Sequence, residues 1–197
     1  RGIDAYLARL KGRLRQESYP GFAFALIIFS LATSLFFTPL PIYLKSIFNG
    51  QSSMVYVTYI LSSIGATVGY FFIRNRASSM NLRKQMPRFV LLRSLFLFLL
   101  IAVIQFAFFP TIFTGLFLVF LGFAYAMYYI IMISLSMELI PEGKSGFFDG
   151  LVSFGAAIGS FLGPFLAETL NFVPTFLIAA VTFFCAFLIL KIFAIKK

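Results

Sequence analysis

Residues 94–137 run for 44 positions without one Asp, Glu, Lys or Arg. One bilayer crossing takes about 20 apolar residues to cover roughly 30 Å of hydrocarbon, so this run holds two. It divides at Phe109-Pro110-Thr111, because proline has no N–H to donate and restricts the residue before it. The uncharged runs 18–44, 46–73, 150–167 and 169–190 each suit one crossing. Six spans follow, near 21–44, 54–73, 89–109, 113–137, 147–167 and 172–192. A chain that is 61% hydrophobic and 11% charged fits no soluble class. The predicted fold is an all-α membrane protein with six transmembrane helices, divided as a connector (1–20) and a transmembrane unit (21–197).

The basic residues give orientation. Sixteen Lys and Arg stand against six Asp and Glu, for a net charge of +10. With six spans both termini share one side. Arg1, Arg9, Lys11, Arg13 and Arg15 precede the first span. Arg74, Arg76, Arg83, Lys84, Arg88 and Arg93 lie in or beside the second loop. Lys144 lies in the fourth loop, and Lys191, Lys196 and Lys197 follow the last span. The other side has Lys45 alone. The positive-inside rule then places both termini in the cytoplasm, with the cell membrane as the expected location. The partner of this charge is anionic lipid and not nucleic acid, because the basic residues flank membrane spans. In residues 1–20, Ile3, Leu7, Leu10 and Leu14 keep helical spacing while Arg9 and Arg13 cover other faces. That pattern predicts an interfacial amphipathic helix.

Polar residues are unevenly spread among the spans. Span one carries Thr33, Ser34 and Thr38, then Pro39 and Pro41, which leave carbonyls without donors and bend the helix. Span two carries Tyr59 and Ser63 on one face and the pair Gly65 and Gly69 on another. Span four has a stripe of Gly122, Tyr125, Tyr129, Met132 and Ser136. Tyr125 falls near mid-bilayer, where its hydroxyl needs a partner. Spans three and six are bulky and apolar. The expected arrangement has spans one, two, four and five around an aqueous path, braced from the lipid side by spans three and six. Candidate cavity residues are Thr33, Ser34, Thr38, Tyr59, Ser63, Tyr125, Tyr129 and Ser153.

The fifth span is the most patterned. Phe147, Leu151, Phe154, Ile158, Phe161 and Phe165 fall within about 80° of arc at 100° per residue. Much of the remaining circumference is small: Gly155, Ala156, Gly159, Ser160, Gly163 and Ala167, with Pro164 beside them. Small faces let helix backbones approach closely in a bilayer, so Gly155, Gly159, Gly163 and Pro164 are predicted packing residues. Asp149, on the small side, is expected to face protein.

Three stretches together resemble the C-terminal six-helix half of a major facilitator superfamily transporter. Pro141-Glu142-Gly143-Lys144-Ser145-Gly146, followed by Gly150, Gly155, Gly159 and Gly163-Pro164, resembles that family's loop 10–11 and helix 11. Glu138-Leu139-Ile140-Pro141 with Lys144 and Gly146 resembles its cytoplasmic E-x-x-P-x-x-x-R-G motif, with Lys144 one place earlier than the family's Arg. The loop from Gly69 through Arg74, Arg76, Arg83 and Lys84 is similar to its basic loop motif, with Asn75 near the place of the usual Asp. The resemblance implies one half of a twelve-helix bundle with alternating access between halves. Its implied partners are the lipid bilayer, an N-terminal six-helix half and a small-molecule substrate.

The function expected is transmembrane transport of a small solute, uncharged or amphipathic because no cavity candidate is charged. The alternative is a self-contained six-helix protein that homodimerises as transporter or scaffold. Glu138, Lys144, Asp149, Arg83, Lys84 and Arg93 are candidates for a cytoplasmic gate, a charge cluster formed in one state only. An enzyme is not expected. The chain has no histidine and one cysteine, Cys185, and Asp4, Glu17, Glu138, Glu142, Asp149 and Glu168 all lie away from span centres. Catalysis in a membrane needs an activated nucleophile or a metal. No cofactor and no metal site is expected.

Overall fold

The computed structural model describes residues 19–74, 82–106, 110–139 and 145–194, with the backbone alone at several segment ends, Arg83 and Glu138 among them. The expected connector, residues 1–20, lies almost wholly outside the described residues. Among the described residues there are seven α-helices: α1 (Tyr19–Phe37), α2 (Leu40–Ile47), α3 (Ser52–Arg74), α4 (Leu82–Phe106), α5 (Pro110–Leu139), α6 (Ser145–Leu170) and α7 (Phe172–Ile189), which ends in a π-turn over Leu190–Ala194. They make six segments long and apolar enough to cross a membrane: Pro20–Ile47, Ser52–Arg74, Lys84–Gln105, Ile112–Met137, Gly146–Leu170 and Phe172–Ile192. The chain is an all-α six-helix membrane protein.

The first span breaks where its prolines require it. Thr38 N–H still donates to Ser34 O at 3.0 Å. Pro39 and Pro41 then supply no N–H to Leu35 O and Phe37 O, so α1 stops and α2 restarts with Pro39 at its N-cap. The turn between α2 and α3 uses Asn49 (φ 52°) and Gly50 (φ 85°), and Asn171 alone (φ 74°) joins α6 to α7. Asn is one of the few residues with a side chain that enters this left-handed region readily.

Two glycine seams hold parallel spans together. On α3, a Cβ at Gly65 would overlap Val119 O of α5, and one at Gly69 would sit 2.8 Å from Phe123 O. From the other side, a Cβ at Gly122 of α5 would overlap Ser62 O. On α6, Gly155 and Gly159 lie on Ile27 O and Leu31 O of α1 in the same way, and a Cβ at Gly163 would be 2.9 Å from Leu35 O. Glycine Cα–H groups thus face neighbouring carbonyls, the close approach that small residues allow in hydrocarbon. At the third position the glycine meets the carbonyl that Pro39 leaves without a donor. The bulky stripe of α6 points outward, with Phe147, Phe154, Phe161 and Phe165 exposed. Ser30 Oγ ties the same seam by donating to Val152 O at 2.6 Å.

The packing differs from expectation in one respect. α4 and α7 bury more of their length than α3 and α6 do. α4 turns Met86, Val90, Leu97 and Leu100 inward, and Ser94 Oγ donates to Ala180 O of α7 at 3.0 Å. Spans three and six still keep apolar edges outside, Leu95 and Leu99 on one and Val181 and Phe184 on the other. They brace the bundle from within its core as well as from its rim, because α4 packs on both α5 and α7.

Candidate functional site

α4 passes through Pro87 without ending. This continuity moves Arg93 from the expected loop edge to nine residues from Lys84 and twelve from Gln105, the two ends of its span. At 1.5 Å per residue it stands about 14 Å and 18 Å from them, near the middle of the span. Arg93, expected beside the loop with the other gate charges, thus lies well inside the length of α4. Its side chain is 1% exposed.

Four aromatic rings from three other helices surround the guanidinium. Its Cζ is 5.2 Å and 5.5 Å from the centroids of Phe29 and Phe37 on α1, 4.8 Å from Tyr125 on α5 and 4.9 Å from Phe183 on α7. Tyr128 stacks on Phe29 with centroids 3.6 Å apart and planes at 24°, and Phe183 meets Phe29 edge-on at 5.1 Å. Cation–π attraction supplies about 0.5–2 kcal/mol per ring. It does not satisfy the N–H donors. Arg93 Nε, Nη1 and Nη2 and the Tyr128 hydroxyl are buried with no hydrogen-bond partner among the described residues. An unmatched arginine at a span centre costs about 2.5–3.5 kcal/mol even on the mildest scales, and such residues mark functional sites.

The predicted cavity residues divide into groups. Tyr125 covers Arg93 and stacks on Tyr129 at 5.7 Å, so these two belong to the aromatic cluster. Thr33 and Ser34 lie half-buried on α1, with Thr33 Oγ1 bound to Phe29 O at 2.9 Å. Thr38, at the break of span one, reaches Ser160 Oγ of α6 at 3.4 Å. Tyr59 is half-buried, while Ser63 and Ser153 lie on the outer surface of the six-helix bundle. Ser63 Oγ donates to Tyr59 O at 3.0 Å, which leaves its hydroxyl oxygen free to accept.

Of the remaining gate candidates, Asp149 and Lys84 have described side chains. Asp149, the fifth residue of α6, is exposed on this chain and not turned into the bundle, and among the described residues a Cβ at its neighbour Gly150 would meet nothing within 4 Å. Lys84 is exposed at the start of α4. The side chains of Glu138 and Arg83, and all of Lys144, lie outside the described residues. Cys185 is exposed on α7, and no cluster of three or more metal-ligating side chains occurs among the described residues. The chain matches no family model, no curated protein and no solved structure.

Proposed function

We propose that this chain is one half of a secondary transporter of the major facilitator type, which moves a small solute by alternating access. The observation that carries the reading is the packing order. α3 packs on α5 as α6 packs on α1; α4 packs on α5 as α7 packs on α1; α4 and α7 pack on each other. Exchanging spans one to three with spans four to six reproduces these five pairings, while the packing of α6 on α7 has no equal between α3 and α4. Three spans are an odd number, so the second triplet enters the bilayer from the opposite side. Inverted repeats of this kind are a common way to build transporters, with binding sites near the bilayer midplane where the repeats meet. The broken first span fits the same plan, since Pro39 and Thr38 sit against Gly163 and Ser160 beside Pro164.

The partner in this reading is an N-terminal six-helix half. It would cover the outward faces of α3 and α6, where Tyr56, Ile60, Ile64 and Phe71 on one and Phe154 and Phe161 on the other are exposed. Ser63 and Ser153 would then line the path between halves. Both termini lie in the cytoplasm and the protein in the cell membrane. The charge split of fifteen to one becomes fourteen to one when Arg93 is set aside, so the orientation stands. Cysteine placed at Ser79 should react with impermeant reagents only after lysis, and reaction in intact cells reverses the orientation. Solute counterflow into proteoliposomes, across a panel of neutral and amphipathic solutes, tests transport itself. Failure of every solute, together with dimers of this chain in native membranes, would favour the self-contained six-helix protein instead.

A further inference from the structure

We propose that Arg93 anchors a binding site for the carboxylate of a small monoanionic solute with an apolar or aromatic body. The guanidinium carries its charge near mid-span, and its three nitrogens are buried without hydrogen-bond partners among the described residues. Rings of Phe29, Phe37, Tyr125 and Phe183 lie within 5.5 Å of its Cζ. Aromatic faces attract the cation but accept no conventional N–H···O bond, so the planar fork of donors remains open to a bidentate acceptor. The Tyr128 hydroxyl, on the ring stacked against Phe29, is a second buried donor without a partner among the described residues.

The surroundings select the class of ligand. No second cation among the described residues shares this depth: Arg88 is exposed five residues nearer the end of α4. One fixed positive charge neutralises one negative charge, which favours a monocarboxylate over a phosphate or a dicarboxylate. The walls are rings, which suit an apolar or aromatic body. The described acids with placed side chains, Asp149 and Glu168, lie exposed near the two ends of α6 and do not reach mid-span. A lipid headgroup does not reach it, since Arg93 is enclosed within the bundle by rings of three other helices. A protein docked on α3 and α6 does not reach it either, because Arg93 is enclosed by rings of α1, α5 and α7.

The site is closed in this structure, so entry needs a second conformation. The inference therefore deepens the transport reading and rests on it for the route of entry, while binding can be measured apart from transport. The experiment is thermal melting of the intact protein in nanodiscs with butyrate, benzoate and phenylacetate, with their amides as neutral controls and succinate as a dianion. At least one monocarboxylate should raise the melting temperature, and its amide should not. Arg93→Lys should weaken the apparent affinity by roughly tenfold or more, because an ammonium cannot offer the bidentate fork. Arg93→Met should abolish the shift while melting, without ligand, no lower than the wild type. Stabilisation equal for acid and amide, a shift that persists in Arg93→Met, or no response to any acid overturns the proposal. An unliganded Arg93→Met that melts well below the wild type also overturns it, since a protein group must then hold the guanidinium. Binding without counterflow would leave this site standing and remove only the transport reading.

Discussion

The glycine seams and the arginine box lie in the same bundle and follow opposite rules. In the seams, Gly65, Gly69, Gly155, Gly159 and Gly163 bring backbones together, with a carbonyl against each of these glycines and no room for one added carbon. In the box, a charge sits among rings with its donors unmet. The seams are what holds a bundle together where no hydrophobic force between helices is available. The box is what a fold does not make for its own stability. Native proteins satisfy nearly all buried polar groups, and the exceptions call for a role. The difference separates the part of the molecule that sustains the fold from the part free to do something else.

The largest expected effect falls on a seam. Gly159→Leu should abolish folded yield, because the added side chain meets Leu31 O and Ser34 Cβ, while Ile158→Leu should be tolerated. Overpacking costs about 1–3 kcal/mol where neighbours can shift, and more against a carbonyl that cannot. Detergent-stable yield of the two variants checks this; equal tolerance would remove the seam.

The box should answer with the opposite sign. Arg93→Met removes an unpaired buried charge and keeps the stem, so stability should rise by about 1–3 kcal/mol, in the range seen when buried ionic groups give way to apolar ones. Melting in the absence of solute reads it. Next in size is Tyr125→Leu, which loses a ring 4.8 Å from Arg93 Cζ and with it about 0.5–2 kcal/mol, whereas Tyr125→Phe keeps the ring and should change little. If Phe and Leu behave alike, the ring does not hold the cation. The smallest effect is Ser94→Ala, which loses the bond to Ala180 O and about 0.6 kcal/mol by the average for interhelical bonds in membranes.

Much of the seams was legible in the sequence and little of the box. Uncharged runs set the six spans, because hydrocarbon thickness fixes helix length whatever the tertiary contacts. Pro39 and Pro41 marked the break in span one, and Gly155, Gly159 and Gly163 announced a close-packed face through their spacing alone. The choice of α1 as the partner of that face was not in the spacing. Arg93 was placed at a loop edge because span three was expected to begin near residue 89, whereas α4 begins at Leu82 and carries Pro87 inside it; a proline in a membrane helix is tolerated when neighbours compensate. The box itself draws Phe29, Phe37, Tyr125 and Phe183 from three spans, and no periodicity within one span reports which rings meet.

The alternating-access account rests most directly on the side of α3 that bears Ser63. Ser63 lies eleven residues from each end of its span, Ser52 and Arg74, and is exposed on this chain. Lipid contact and a solute path between halves predict different chemistry there. With Cys185 replaced by alanine, Ser63→Cys should react with a membrane-impermeant thiol reagent applied from either face of oriented vesicles, and a transported solute should slow the reaction. Reaction from one face only, or from neither, would contradict the account.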